Sequence, residues 1–409
     1  MKASDQDSRH AMPSPPVSTP RSILMIKSHS LGVGDLLRSS AAWRALKLKW
    51  PDVQLHLLFL SKHAGYPTEE LIREHHLLSS AEFLVIQEGN PGLPRSARPK
   101  VSFKHIVKGV QTAAIRCNPD WVIDFESSGA RTSILTWLAA RAVGAKSLGI
   151  NQVFGRSIFY TQTAPSVQVF AHQHGYELPL EYTYRDFVVL ARWGIYRNQM
   201  PIELEVTEAG RVVKQALKEA LHELPQSKTV NHTINLTPVL NHMKRTELVI
   251  GLNIGCGTPD AVVKRPDLKL LAQCMLALAG LYPHRLILTG APNEVAVNQE
   301  FIKIYSALSD DNLGPQDVSH MIDYAGRTNL SELTGVIDAC NVFISTDSGP
   351  YHMAVALKRP TLVWFTYSER CAFHDDFWCE RVINPNRDQF LAGFLKLTQN
   401  ATVLLESPD

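Results

Sequence analysis

Short apolar runs alternate with segments of helical periodicity along most of the chain. The apolar run Ile23–Lys27 is followed by a turn, a helical segment from Asp35 to about Trp50, and a second apolar run at Val53–Leu60. A switch from a strand-like run to a helical period and back predicts a βαβ unit with parallel strands. The same alternation starts again at Glu247–Asn253. The pattern therefore predicts an α/β protein with two doubly wound, Rossmann-like domains.

The length supports a division into two domains. The chain has 409 residues, of which 45% are hydrophobic, whereas single cores stop growing near about 250–300 residues. The serine- and proline-rich start of the chain is typical of disordered segments. The predicted divisions are a disordered leader 1–21, a first domain 22–205, a linker 206–245, a second domain 246–385, and a C-terminal helix 386–409 that packs back on the first domain.

Charge and cysteine content exclude some classes of protein. The net charge of +2 gives no basic stripe of the kind that nucleic-acid binders show, so no nucleic-acid partner is expected. Six cysteines are spread over the chain without a Cys-x-x-Cys pair, which favours reduced thiols and a cytoplasmic protein. No apolar run approaches the roughly 20 residues of a membrane helix.

The turn after the apolar run Val342–Ser345 is a candidate anion site. Ser348 and Gly349 would open a helix there, and free backbone N–H groups at a helix start suit a phosphate. Gly349 has no Cβ, so an anion can approach the backbone closely. The alternative is an ordinary strand-to-helix turn, which every α/β protein contains many times.

Asp35 has two competing interpretations. It ends the turn after the first predicted strand, where it can cap the following helix. It can also direct a carboxylate into a cleft at the carboxyl end of the strand. Replacement by Asn would separate these roles, because Asn caps a helix equally well.

Three other features have weaker functional interpretations. The aromatic and histidine-rich stretch Phe154–Tyr182 has no clear period, which predicts a long loop with a role in substrate binding. Cys371, His374 and Cys379 are residue types that bind zinc or iron, but the spacing has no clear fourth ligand, so no metal site is assigned. His29 is interpreted as a solvated loop histidine.

Three motifs resemble glycosyltransferase family 9, the ADP-heptose:lipopolysaccharide heptosyltransferase family. Gly32–Ser40 is similar to the family's G-D-V-L-x-T segment, and Ala325–Leu333 to its A-G-K-T-S-L-x-E-L segment. Asp347–Ala354, which reads D-S-G-P-Y-H-M-A, matches the family's D-[ST]-G-x-x-H-L-A closely. The resemblance covers most of the chain and implies the GT-B architecture, in which two Rossmann-like domains face each other across a cleft.

The resemblance also implies roles for individual residues. Asp35 aligns with the catalytic aspartate, the general base for an attack that inverts the anomeric carbon. The leaving diphosphate would be stabilised without a metal or other cofactor by Lys264 and by the backbone at Ser348 and Gly349. Glu294 resembles the acidic residue that binds the nucleotide ribose. Asp347 and His352 complete the implied donor site.

The implied function is transfer of a heptose or related sugar from an ADP-sugar to a lipopolysaccharide core or other cell-envelope acceptor. One alternative is a protein heptosyltransferase of the autotransporter type, and another is a non-catalytic scaffold that binds nucleotide sugars. A glycolipid acceptor would bring the protein to the cytoplasmic face of the inner membrane. The basic residues proposed for that contact, which are equally interpreted as a solvated helix face, are Arg95, Arg98, Lys100, Lys104 and Lys108.

Overall fold

The chain forms two compact units, Met1–Ile202 and Glu203–Asp409. We describe them from a computed structural model of the protein. The residues that the structure describes are 19–28, 33–61, 68–73, 75–86, 101–126, 130–198, 200–223, 248–255, 259–308, 318–367, 373–374 and 376–406.

The first unit is built on a parallel six-stranded sheet with the order β3-β2-β1-β4-β5-β6. Its strands are β1 (Ser22–Ser28), β2 (Gln54–Ser61), β3 (Ser80–Val85), β4 (Trp121–Asp124), β5 (Lys146–Ile150) and β6 (Gln162–Ala164). Its helices are α1 (Val33–Leu37), α2 (Ser39–Lys49), α3 (Thr68–Arg73), α4 (Phe103–Cys117), α5 (Arg131–Val143), α6 (Val167–His174) and α7 (Tyr182–Leu190).

The second unit repeats this plan in a second parallel six-stranded sheet, with the order β12-β11-β10-β7-β8-β9. Its strands are β7 (Leu248–Asn253), β8 (His284–Thr289), β9 (Met321–Asp323), β10 (Val342–Thr346), β11 (Thr361–Phe365) and β12 (Cys379–Ile383). Its helices are α8 (Glu208–Glu223), α9 (Leu268–Leu281), α10 (Val295–Ala307), α11 (Leu330–Ala339), α12 (Gly349–Ala356) and α13 (Arg387–Glu406).

Both sheets have the doubly wound strand order, and the prediction of two parallel α/β sheets is confirmed. In each sheet the first and fourth strands of the unit lie side by side, and the direction of winding reverses between them. Ligands of such sheets bind outside the carboxyl ends of the strands at this switch point. The switch points are therefore between β1 and β4 and between β7 and β10.

The stretch Phe154–Tyr182 is not the long loop that its sequence predicts. It contains a 3-10 turn at Arg156–Phe159, the edge strand β6 and the helix α6. Ser166 caps α6 through a hydrogen bond from the backbone N–H of Val169, and Gly175 ends it at φ 69°. Each of these elements has eight residues or fewer, so none of them is long enough to show a clear period in the sequence.

Part of the predicted linker is an integral helix of the second unit. Thr207, just before α8, donates a hydrogen bond of 2.7 Å to the carbonyl of Ser331 on α11. The backbones of the two helices meet at Gly210 and Gly335, where a Cβ on Gly335 would lie 1.8 Å from the carbonyl oxygen of Gly210. The remaining linker residues, 224–245, lie outside the described residues.

The C-terminal helix α13, which the sequence predicts to pack on the first domain, contributes to the core of the second unit. Phe390, Phe394 and Leu397 of α13 are fully buried in the hydrophobic core of the second unit. The ring of Phe390 lies 5.8 Å from that of Trp364, and the ring of Phe394 lies 5.7 Å from that of Tyr282. These apolar residues recur at helical spacing, so they form one stripe that covers β11 and α9.

Within the part of the chain that the structure describes, no helix has both the length and the apolar character needed to cross a bilayer.

Candidate active site

Polar side chains connect the ends of β7 and β10 at the switch point of the second sheet. Ser348 donates a hydrogen bond of 2.9 Å from Oγ to Oδ1 of Asn253, the last residue of β7. Thr346, the last residue of β10, donates from Oγ1 to the carbonyl oxygen of Gly255 at 2.8 Å. The turns that follow the two strands are therefore held against each other where a ligand of this fold would bind.

The helix α12 starts from this turn without a side-chain cap. Ser348 is its N-cap residue in extended conformation, and its hydroxyl makes no capping hydrogen bond. That hydroxyl bonds instead to Asn253 and approaches Ser345 Oγ at 3.1 Å. The positive end of the helix dipole at Gly349 is thus not satisfied by its own cap, and an anion would be favourable there.

The carboxylate of Asp347 lies close to three polar side chains beside the start of α12. Lys264 donates from Nζ to Oδ2 of Asp347 at 2.7 Å, and the Tyr367 hydroxyl donates to the same oxygen. Nε2 of His352 lies 3.9 Å from Oδ1 of Asp347. The side chain of Asp347 is 7% exposed, whereas that of Lys264 is 33% exposed. The structure therefore brings Lys264, Asp347, Ser348, Gly349 and His352 together.

Glu294 lies at the end of β8, and its carboxylate caps its own turn. Oε2 accepts a hydrogen bond of 2.7 Å from the backbone N–H of Ala291. Oε1 faces the backbone of Gly255, where a Cβ would lie only 1.7 Å from that oxygen. Gly255 therefore has to be glycine for the carboxylate to reach the turn that follows β7.

His352 also contacts a second histidine. Its Nδ1 lies 2.7 Å from Nε2 of His374, which is fully buried. The distance from Sγ of Cys379 to the hydroxyl oxygen of Tyr351 is 4.0 Å. Among the described residues, no group of three or more His, Cys, Asp or Glu side chains is placed to hold a metal ion, while Cys371 lies outside these residues.

In the first unit, Asp35 lies inside the short helix α1 and not at its N-cap. Its carboxylate forms an ion pair with the guanidinium group of Arg38, one helical turn further along the chain. The side chain of Asp35 is 36% exposed, but that of Arg38 is only 8% exposed. The interpretation of Asp35 as a plain helix cap is therefore wrong, and the carboxylate is partly open to solvent.

A family comparison gives this geometry a context. The sequence model described as "Glycosyltransferase family 9 (heptosyltransferase)" matches residues 310–383, which include the Asp347–Ala354 motif. The chain is also 23% identical over 352 residues to lipopolysaccharide heptosyltransferase 1 of Campylobacter coli, across 83% of this chain and 84% of the relative. The chain is therefore similar to glycosyltransferase family 9 in its second unit and to a heptosyltransferase over most of its length.

Solved structures of similar proteins share the fold of this chain. The family 9 protein from Veillonella parvula superposes with a TM-score of 0.63 at 15% identity, over 93% of this chain and 97% of the other. The E. coli heptosyltransferase WaaC, solved with ADP, superposes with a TM-score of 0.59 at 15% identity, over 93% and 99% of the two chains. The predicted GT-B class of α/β fold is confirmed.

Sequence reasoning missed a buried polar network at the switch point of the first sheet. Lys27 at the end of β1 donates from Nζ to both carboxylate oxygens of Asp186 at 3.0 Å. Ser28 donates its backbone N–H to Oε1 of Glu126 at 2.8 Å. Burial raises the pKa of Glu126 from 4.5 to about 7, although Lys27 and the Ser28 N–H oppose the rise. These carboxylates had no motif around them that could have revealed the network.

The same network continues through Asp124, the last residue of β4. Arg156 and Tyr160 donate to Oδ2 of Asp124 at 2.8 and 2.7 Å, and the backbone N–H of Glu126 donates to Oδ1 at 2.9 Å. Burial raises the pKa of Asp124 in spite of the Arg156 charge. The pair of Arg156 and Asp124 is fully buried and joins the 3-10 turn after β5 to the end of β4.

Two other predictions fall partly outside the described residues. His29, Arg95, Arg98 and Lys100 are not among these residues, so their roles stay predictions. Lys104 and Lys108 are exposed on α4.

Proposed function

We propose that this glycosyltransferase moves a heptose or related sugar from an ADP-sugar donor to a lipopolysaccharide core acceptor, with inversion at the anomeric carbon and without a metal. The similar protein from Campylobacter coli is a lipopolysaccharide heptosyltransferase, and a structure of similar fold was solved with ADP. The residues of the second unit supply the chemistry that such a donor needs.

One observation carries the donor side of this proposal. The Lys264 ammonium group donates a hydrogen bond to the Asp347 carboxylate beside the start of α12, which has no side-chain cap, at the switch point of the second sheet. Asp347 holds the ammonium group through its carboxylate and its carbonyl oxygen, so the positive charge is fixed next to the helix start where a phosphate is proposed to bind. Lys264 and the N–H groups from Gly349 onward would neutralise the charge that develops on the departing diphosphate.

Glu294 is the proposed ribose ligand. A carboxylate has about four lone-pair sites, and the Ala291 N–H occupies one of them. A carboxylate that accepts several hydrogen bonds at once suits two ribose hydroxyls near the turn that follows β8. The close approach of Glu294 to Gly255 ties this position to the turn that leads into the Lys264 segment.

Asp35 is the proposed general base. Its carboxylate would take the proton of an acceptor hydroxyl while the hydroxyl oxygen bonds to the anomeric carbon. The bond from that carbon to the diphosphate oxygen breaks on the opposite face, and ADP departs with the electron pair. Arg38 holds one side of the carboxylate, and the exposed side remains open to the acceptor.

A thermal-shift series tests the donor assignment. ADP at about 100 times its dissociation constant would stabilise the folded protein by about 2.7 kcal/mol, and UDP, GDP and CDP would do less. Lys264→Ala should lose this stabilisation because the diphosphate loses its cation. Lys269→Ala, at an exposed position of α9, is the matched control and should keep it. Equal stabilisation by all four nucleotides, or by none, would reject the ADP-sugar donor.

A further inference from the structure

His374 contacts the proposed donor site from a distant part of the chain. It lies between β11 and β12, and its side chain is fully buried. Its Nε2 lies 2.7 Å from Nδ1 of His352, and the two rings are nearly perpendicular, at 85°. Two ring nitrogens at this distance share a single proton, because one must donate and the other must accept.

The backbone of His374 is fixed by the residue that precedes His352. The N–H of His374 donates a hydrogen bond of 2.8 Å to the hydroxyl oxygen of Tyr351. Tyr351 is fully buried on α12, and burial raises its pKa well above the ordinary value. The phenol therefore keeps its proton. Tyr351 and His352 are neighbours on α12, so this helix holds His374 through two contacts, one to its backbone N–H and one to its ring.

Asp347 determines which way the shared proton points. Nε2 of His352 faces Oδ1 of Asp347 at 3.9 Å. A lone pair on that nitrogen would be repelled by the carboxylate, whereas an N–H would be attracted. A neutral His352 with its proton on Nε2 must accept a hydrogen bond at Nδ1. The donor of that bond is the Nε2–H group of His374.

We propose that His374 is a positioning residue for the donor site, an inference that rests on the proposed function. Its Nε2–H group donates to Nδ1 of His352 and keeps the His352 proton on Nε2, beside Asp347 and the first turn of α12. His352 then presents an N–H donor, and not a lone pair, where the donor diphosphate is proposed to bind. His374, which the sequence analysis considered as a metal ligand beside Cys371 and Cys379, therefore has a role that involves no metal.

The tautomer of His352 is measured by nitrogen-15 NMR of the histidine rings in the full-length protein. The expected spectrum of the wild type shows His352 protonated at Nε2 and accepting at Nδ1, with the reverse roles at the facing nitrogen of His374. A wild-type spectrum with the His352 proton on Nδ1 overturns the proposal. This measurement needs no substitution and no bound nucleotide, so it also decides the matter if a variant does not fold.

Substitutions then test the consequence for binding, with ADP as the probe in titration calorimetry. His374→Leu should weaken ADP binding by about 5- to 10-fold, the loss expected for one hydrogen bond. His374→Gln, whose amide can still donate, should stay within about 3-fold of the wild type. His284→Leu removes another buried histidine of this unit, whose ring bonds to the Tyr282 carbonyl, and should leave ADP affinity unchanged.

The outcomes separate this inference from the proposed function. A folded His374→Leu protein that binds ADP as tightly as the wild type overturns the role of His374, as does a His374→Gln protein that loses as much affinity as His374→Leu. A wild-type protein that binds no ADP rejects the proposed donor instead. In that case the NMR spectrum still shows whether His374 sets the His352 tautomer.

Discussion

At the scale of single residues, the ion pair of Asp35 with Arg38 defines the chemistry available to the proposed base. The side chain of Arg38 is buried and that of Asp35 is partly exposed, so the carboxylate is held by a buried cation and still reaches solvent. Removing a partner from a buried charge leaves that charge uncompensated, which destabilises a protein. A substitution at this position therefore has to keep an acceptor for Arg38.

Asp35→Asn meets this requirement because the amide oxygen can still accept from Arg38. We expect the variant to fold normally and to lose about 100-fold or more in kcat, since an amide cannot take the proton of the acceptor. Steady-state transfer assays with an ADP-sugar, together with thermal unfolding, measure both effects. Asp52→Asn, at an exposed turn, should change neither, and full turnover by Asp35→Asn would mean that another group is the base.

Glu126 gives the first sheet a titration close to neutral pH. The pKa of Glu126 is raised from 4.5 to about 7 by burial, with smaller contributions from the charges of Asp124 and Asp186. The folded state therefore binds this proton more tightly than the unfolded state does. The resulting stability is present in full below pH 4.5 and is lost as pH rises through about 7.

Glu126→Gln should flatten this pH dependence because the amide does not ionise but still accepts from the Ser28 N–H. As the pH rises from 4.5 to about 7, the unfolding free energy of the wild type should fall by about 1–2 kcal/mol, whereas that of the variant should not. This loss is smaller than the full pKa change implies, because water screens the partly exposed side chain. Urea unfolding across this pH range measures the difference. Glu208→Gln, at an exposed ion pair, should unfold with the wild-type pH profile, and an unchanged slope in Glu126→Gln would contradict the assignment.

At the scale of elements, the contact between α8 and α11 depends on two glycines. A Cβ on Gly210 would lie 2.2 Å from Oγ1 of Thr334, and one on Gly335 would lie 1.8 Å from the Gly210 carbonyl oxygen. Lys214 and Asp338 form an ion pair between the same two helices. The backbones are therefore in direct contact, which explains why a segment with a polar sequence packs as part of the unit.

Gly335→Ala should destabilise the second unit by about 2–3 kcal/mol, because the obstacle is backbone and cannot rotate away. Gly280→Ala is the matched control in helix α9, where a Cβ would meet nothing within 4 Å. It should be neutral or stabilising by up to about 1 kcal/mol, since Ala favours a helix over Gly. Denaturant unfolding of both variants tests the contact, and equal stability of the two would show that α8 does not pack closely on α11.

At the scale of the whole molecule, the proposed donor residues all lie in the unit Glu203–Asp409, while Asp35 lies in the other. We expect ADP alone to slow amide hydrogen exchange mainly in β7, in β10 and in the first turns of α12. Hydrogen exchange with mass spectrometry measures this pattern, with Lys264→Ala as the comparison. Protection concentrated in β1 and α1 would contradict a donor site built on the second sheet.

Secondary structure was predictable where its signals are local. The apolar run Val53–Leu60 was predicted as a strand and is observed as β2, Gln54–Ser61. The turn at Ser348 and Gly349 was found because a strand, a small polar turn and a helix follow one another in sequence. The strand Cys379–Ile383 was missed because the charged residues Glu380 and Arg381 interrupt its apolar positions, so no apolar run marks it.

The sequence by itself determined two α/β units, the βαβ unit that opens the first of them, and the motif residues from Asp347 to His352. These features depend on hydrophobic periodicity and on turn residues, and both are properties of neighbouring residues in the sequence. Only the tertiary structure decided that His374 reaches His352, that Lys27 pairs with Asp186, and that α13 covers the second sheet. Such pairs lie far apart in sequence and meet only because the doubly wound strand order brings their elements to the same edge or face of a sheet.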